Sequence, residues 1–128
     1  MIGEIHSARY LLLASFLCTL PACARSSDPG ETARTFLTDV AQGRQGEALE
    51  RFDPQLRQVG GMVLAMGLAE QGAKAKRKIG LRSVQILRTD MIDETHAKVT
   101  TRSVYGDGST ETATGKMRRI EDRWFVTT

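Results

Sequence analysis

Few residues of this chain have types that do chemistry, and most stand alone. The 128 residues include two cysteines, Cys18 and Cys23, and two histidines, His6 and His96. A histidine titrates near neutral pH and can act as a general base. His96, however, falls beside a polar turn at the expected start of a strand, so it reads as a solvent-exposed side chain. A metal site needs three or four ligands of matched type. Past Cys23 only carboxylates could join His96, and Asp90, Asp93 and Glu94 crowd a turn, where acidic residues serve local hydrogen bonds. No metal and no cofactor is expected. Asp107 lies between two glycines, but no helix start follows it as a phosphate-binding loop requires. Tyr105-Gly106-Asp107-Gly108-Ser109 therefore reads as a hairpin turn. The serines and threonines have no His or Lys partner at a recognisable catalytic spacing. Asp39 falls off the apolar stripe of its helix and is expected to face water. Lys74-Ala75-Lys76-Arg77-Lys78 could meet anionic head groups, although a charged helix end is the ordinary explanation. It lacks the aromatic interleaving of single-strand binders, so no nucleic-acid partner is expected.

Cys23 has surroundings that point to a specific modification. Tyr10 to Leu20 is an apolar run of about eleven residues with Arg9 just before it. That is too short to span a bilayer as a helix and fits the apolar region of a secretory signal. Leu20-Pro21-Ala22-Cys23 follows. It resembles the bacterial lipobox. The resemblance implies that the Cys23 sulfur receives a diacylglycerol, that the chain is cut before it and that the new amine is acylated. The alternative is an ordinary signal cut after Ala22 or Ala24, which leaves Cys23 as a free thiol. Cys18 lies in the discarded run, so the mature chain would carry one cysteine and no internal disulfide. Residues 1–22 thus read as a lipoprotein signal peptide, 23–27 as the lipidated cysteine with a short tether, and 28–128 as one domain. The expected location is the bacterial cell envelope, with the chain held by lipid and its domain facing the periplasm. Ala24 in place of an Asp favours the outer membrane in a diderm cell.

Composition is that of an ordinary globular domain, with 41% hydrophobic and 26% charged residues and a formal net charge of +3. The charge is uneven. Arg25 to Ala73 holds five basic and seven acidic residues, and Lys74 to Thr128 holds twelve basic and seven acidic. Asp28-Pro29-Gly30-Glu31 reads as a helix start, with Asp28 as cap, Pro29 first in the helix and Glu31 three residues after the cap. Ala33, Phe36, Leu37, Val40 and Ala41 then form one apolar face, and Gly43 ends the helix. A second short helix is predicted from about Gln45 to Phe52. Asp53-Pro54 starts a third, which runs to about Lys78 with Leu56, Val59, Met62, Val63, Met66 and Ala69 on a stripe. A break is expected near Gly60, because glycine weakens a helix interior. The period then alternates. Val84 and Ile86 mark a first strand, and Ala97, Val99, Thr101 and Tyr105 a second. Thr110 to Ile120 forms the third, and Trp124 and Val126 mark the fourth. Helices followed by hairpin-linked strands predict an α+β fold, with N-terminal helices packed on a curved four-stranded antiparallel sheet.

This layout resembles a family of small bacterial lipoproteins whose domain has no assigned function, within the nuclear transport factor 2-like, or cystatin-like, superfamily. The resemblance rests on Phe36-Leu37 and Gly43, on Ala48 to Pro54, and on Leu81-Arg82-Ser83-Val84-Gln85-Ile86. It continues through Ala97-Lys98-Val99, Tyr105-Gly106-Asp107-Gly108 and Arg123-Trp124-Phe125-Val126. The family usually has a glycine just before its final basic-Trp pair, which Glu121-Asp122 lacks. The resemblance implies a cone-shaped domain with room for a pocket, and no particular activity. The leading expectation is a non-catalytic protein-interaction module anchored in the envelope, with an envelope protein as partner. The alternative is a pocket for a small apolar ligand or lipid, lined by Phe36, Val40, Met62, Met66, Tyr105 and Trp124. An isomerase- or dehydratase-like enzyme would need a carboxylate or histidine inside the cone. A homodimer is a further candidate, and Thr110 to Thr114 offers no apolar patch to decide it.

Overall fold

The computed structural model describes residues 28–128, so the signal peptide, Cys23 and the tether lie outside the described residues. Three helices come first: α1 (Pro29–Ala41), α2 (Gln45–Glu50) and α3 (Pro54–Arg77). Four strands follow: β1 (Leu81–Met91), β2 (His96–Tyr105), β3 (Thr110–Ile120) and β4 (Arg123–Thr127). Both cap-then-proline signals start helices. The Asp28 carboxylate accepts from Gly30 N at 2.9 Å, and the Asp53 carboxylate accepts from Gln55 N at 3.0 Å. Glu31 pairs with Arg34 one turn along rather than reaching back to the cap. Gly60 leaves helical geometry, with φ −138° and ψ 30°, and puts a kink in α3 where the glycine pair predicted a break.

The strands form one antiparallel sheet in the order β1-β2-β3-β4. Alternation sets which row faces the helices. Ala97, Val99, Thr101 and Ser103 on β2 are buried, and they pair with Met117, Gly115, Ala113 and Glu111 on β3. The opposite face is polar, with Thr100 and Thr114 hydroxyls 3.1 Å apart. Register shifts between Leu81 and Ser83 and between Ile86 and Arg88 mark bulges that bend β1. The turn between β2 and β3 docks on the chain between α3 and β1. Gly106 N donates to Gly80 O at 2.8 Å and Asp107 N to Lys78 O at 3.0 Å. A methyl group on Gly106 would run into the Ile79 carbonyl oxygen, so this approach requires glycine.

Two clusters make the core, one between α1 and the sheet and one among the helices. Ala33 packs with Ala97, Val99, Met117 and Trp124 at one end. Val40, Ala48 and Leu68 pack at the other, with Phe36 and Phe52 meeting edge to face at 5.1 Å. Asp53 joins the helices to the sheet. Its backbone N donates to Val126 O at 2.8 Å, and its carboxylate accepts from Arg118 Nη1 at 2.9 Å and from the Thr127 hydroxyl at 3.3 Å. Burial alone would raise this carboxyl. Gln55 N–H, the Arg118 guanidinium and the Thr127 hydroxyl outweigh burial and hold it below the ordinary carboxylate range.

Two expectations are corrected. Asp39 does not face water: it is 3% exposed, because α2 folds back over the side of α1 that carries it. Arg44 Nε donates to its Oδ1 at 3.1 Å and Arg51 Nε to its Oδ2 at 3.1 Å. The predicted stripe of α3 is not its packing face either. Val59, Met62, Val63 and Met66 are exposed, whereas Leu68 and Ala75 are buried. Gly72 explains the choice. A Cβ there would stand 2.9 Å from the Val40 carbonyl oxygen, so the side of α3 carrying Leu68, Gly72 and Ala75 lies against α1.

Candidate ligand cavity

The helices do not fill the sheet's inner face. Beyond Val99 the inward row of β2 and β3 turns polar, with Thr101 paired with Ala113 and Ser103 with Glu111. The space left is a cavity of about 310 Å³. Its apolar side is Phe36, Leu37, Val40 and Ala41 from α1, Leu68 and Ala75 from α3, and Leu81 from β1. Its polar end is Thr101, Ser103 and Tyr105 on β2, Glu111 on β3 and Gln71 on α3. A smaller hollow of about 110 Å³ extends the apolar part. It shares Phe36, Leu37, Thr101 and Ala113 with the first and reaches Val99, Met117 and Val126.

The polar end carries a small charge network. Lys74 Nζ lies 3.2 Å and Lys78 Nζ 3.8 Å from Glu111 Oε2. Lys78 Nζ also stands 4.7 Å from the centre of the Tyr105 ring. Burial pushes the Tyr105 phenol up, and the Glu111 charge adds to this; Lys74 and the Ser103 hydroxyl offset only part. At neutral pH Tyr105 therefore keeps its proton and can donate it in a hydrogen bond. Lys78 also acts on the Asp107 carboxylate of the β2–β3 turn, so the two lysines at this end stand among two carboxylates. Apolar walls with a few converging polar groups are the usual makeup of a small-molecule site, and the volume sits at the lower end of that range.

The candidate lining residues separate. Phe36, Val40 and Tyr105 line the cavity. Met62 and Met66 do not, because they lie on the exposed side of α3. Trp124 is 5% exposed and belongs to the Ala33 cluster rather than the cavity wall. His96 is about half exposed and stands 3.0 Å from Asp93, in the turn before β2. Among the lining residues that sequence reasoning passed over are Thr101, Ser103, Glu111, Ala113 and Leu68. The first two were legible, since they continue the inward row of Ala97 and Val99.

Two solved structures share this architecture. A Campylobacter jejuni protein provisionally described as a nuclear transport factor 2-like transpeptidase superposes with a TM-score of 0.70. It is 20% identical and covers 80% of this chain and 99% of its own. A SEC-C motif-containing protein from Rhodopseudomonas palustris superposes with a TM-score of 0.56 at 15% identity, over 80% of this chain and 77% of its own. At these identities the likeness is one of fold. Helices followed by an open four-stranded antiparallel sheet make this an α+β domain of nuclear transport factor 2-like fold. No protein-family model matches the sequence, and no curated protein matches it.

Proposed function

We propose that the chain is a non-catalytic lipoprotein of the bacterial cell envelope whose domain holds a small amphipathic ligand in its cavity. The observation that carries this reading is the division of the cavity into an apolar side around Phe36, Leu37 and Val40 and a polar end at Ser103, Tyr105 and Glu111. An apolar body would lie along α1, and a hydrogen-bond-accepting head would meet the Tyr105 phenol. The transpeptidase role belongs to the Campylobacter protein. In this chain Ser103 has beside it a phenol that stays protonated and a Glu111 already bound to two lysines, which suits holding a ligand better than taking a proton from Ser103.

Ala113 borders both hollows and tests the ligand reading. Ala113→Phe should fill the space and weaken binding of a fluorescent medium-chain fatty acid by about tenfold or more, equivalent to about 1.4 kcal/mol. Titration followed by fluorescence checks this. Equal affinity of both proteins, or no saturable binding to the native one, overturns the ligand reading. The anchor has its own test. Cys23→Ser should move the protein from the membrane to the soluble envelope fraction with its thermal unfolding unchanged, because the tether precedes the domain. A native protein whose Cys23 carries no lipid by mass spectrometry overturns the lipidation reading.

A further inference from the structure

We propose that the exposed face of α3 rests on the phospholipid surface to which the chain is anchored, an inference that depends on the lipoprotein reading above. Helix α3 is apolar on two sides, and the domain covers only one. Leu68 and Ala75 are buried against the rest of the fold. On the other side Val59, Met62, Val63 and Met66 are 90%, 81%, 74% and 67% exposed. Beyond the kink at Gly60, the spacing of Met62, Val63 and Met66 places them on one face, and Val59 lies just before the kink. Single exposed apolar residues are normal on a protein surface, but a contiguous row marks a contact surface.

Tether length, charge and size select the bilayer as what covers this row. Residues Cys23 to Ser27 can span at most about 18 Å between the lipid and Asp28. A domain of about 100 residues has a radius of gyration of about 13 Å, so the tether is shorter than the domain is wide and holds the domain against the surface. From Pro54 to Lys78 the chain carries Arg57, Lys74, Lys76, Arg77 and Lys78 against the single acid Glu70. Lys74 and Lys78 engage Glu111, and Lys76 and Arg77 are exposed. This excess favours anionic head groups. Four side chains are few for a stable protein–protein interface, which buries about 1,200 Å² or more. They suffice for a helix lying in the membrane interface when a tether already keeps it there. Among the described residues no helix is long and apolar enough to cross a membrane, so α3 would lie along the surface. Its inner side supplies Leu68, Gln71 and Ala75 to the cavity. The same helix would then separate bilayer from cavity and fix the cavity's orientation to the membrane.

Methionine oxidation reads this contact in the native chain. Met62 and Met66 lie on the exposed face, Met91 on β1 is 55% exposed and Met117 is buried. The lipidated protein in vesicles of phosphatidylethanolamine and phosphatidylglycerol is compared with soluble Cys23→Ser protein under the same peroxide. Because oxidation follows exposure, Met62 and Met66 should react about fivefold more slowly on vesicles, while Met91 keeps its rate. Unchanged rates at Met62 and Met66, or equal protection of Met91, overturn the proposal. So does protection of the soluble protein that grows with its concentration, which indicates a second copy. Protection in cell envelopes but not on protein-free vesicles overturns it in favour of a protein partner. If mass spectrometry finds no lipid on Cys23 of the native protein, the lipidation reading fails by itself. Vesicles added to the soluble chain then decide the α3 contact: protection of Met62 and Met66 upholds it and no protection overturns it.

Discussion

Replacing Arg44 and Arg51 together by alanine is expected to lower the unfolding free energy by about 3–5 kcal/mol, the range for leaving a buried charge without its partner. Asp39 is 3% exposed and its two oxygens are held by these two guanidinium groups. Without them the carboxylate stays out of water with nothing to offset its desolvation. The opposite substitution should be milder. In Asp39→Ala the arginine side chains, 50% and 35% exposed, turn back to solvent. The expected cost is about 1–3 kcal/mol, as for losing hydrogen bonds to a charged group. Adding Asp39→Ala to the double arginine variant should therefore recover stability, because the stranded charge is removed. Urea unfolding of the three proteins, with unchanged m values, measures this order. A double arginine variant no less stable than Asp39→Ala would show that water already solvates the carboxylate.

The same pair shows why part of this molecule cannot be read from sequence. A helical period tells which residues share a face, and it sets Asp39 apart from Phe36 and Val40. It does not tell what lies over the other side. The cover comes from α2, a six-residue helix whose direction depends on the turn at Gly43, with φ +77°. Local rules did fix the helix starts, because Asp28-Pro29 and Asp53-Pro54 act within a few residues of themselves. Alternation and turn residues likewise fixed the strands and their hairpins. α3 marks the boundary. Its two apolar stripes are equivalent to any periodicity argument, and the close approach of Gly72 to Val40, set by tertiary contact, decides between them. The cavity was half legible for the same reason. Phe36 and Val40 follow from the stripe of α1, whereas choosing Met62 and Met66 required knowing which side of α3 turns inward.

Trp124→Ala should cost about 3–5 kcal/mol, the usual loss for truncating a buried large aromatic. That is a large part of the roughly 5–15 kcal/mol that stabilises a domain. Trp124 is 5% exposed and packs on Ala33, Ala97, Val99 and Met117, with Ile86 and Val126 beside them. Ala33 and Ala97 are small, so little can move in to fill the space left behind. Trp124→Phe should behave differently. The indole Nε1 is buried without a hydrogen-bond partner among the described residues. An unmet buried donor carries a desolvation penalty of about 1–3 kcal/mol, and phenylalanine removes it. That gain offsets most of the lost volume, so the phenylalanine variant should lie within about 1 kcal/mol of the native protein, since shape-preserving apolar replacement of an unpaired polar group is nearly neutral. Thermal and urea unfolding of both variants measure the contrast. A loss of about 3 kcal/mol or more in Trp124→Phe would mean that Nε1 has a partner in solution, such as a buried water, whose hydrogen bond the indole donates and phenylalanine cannot.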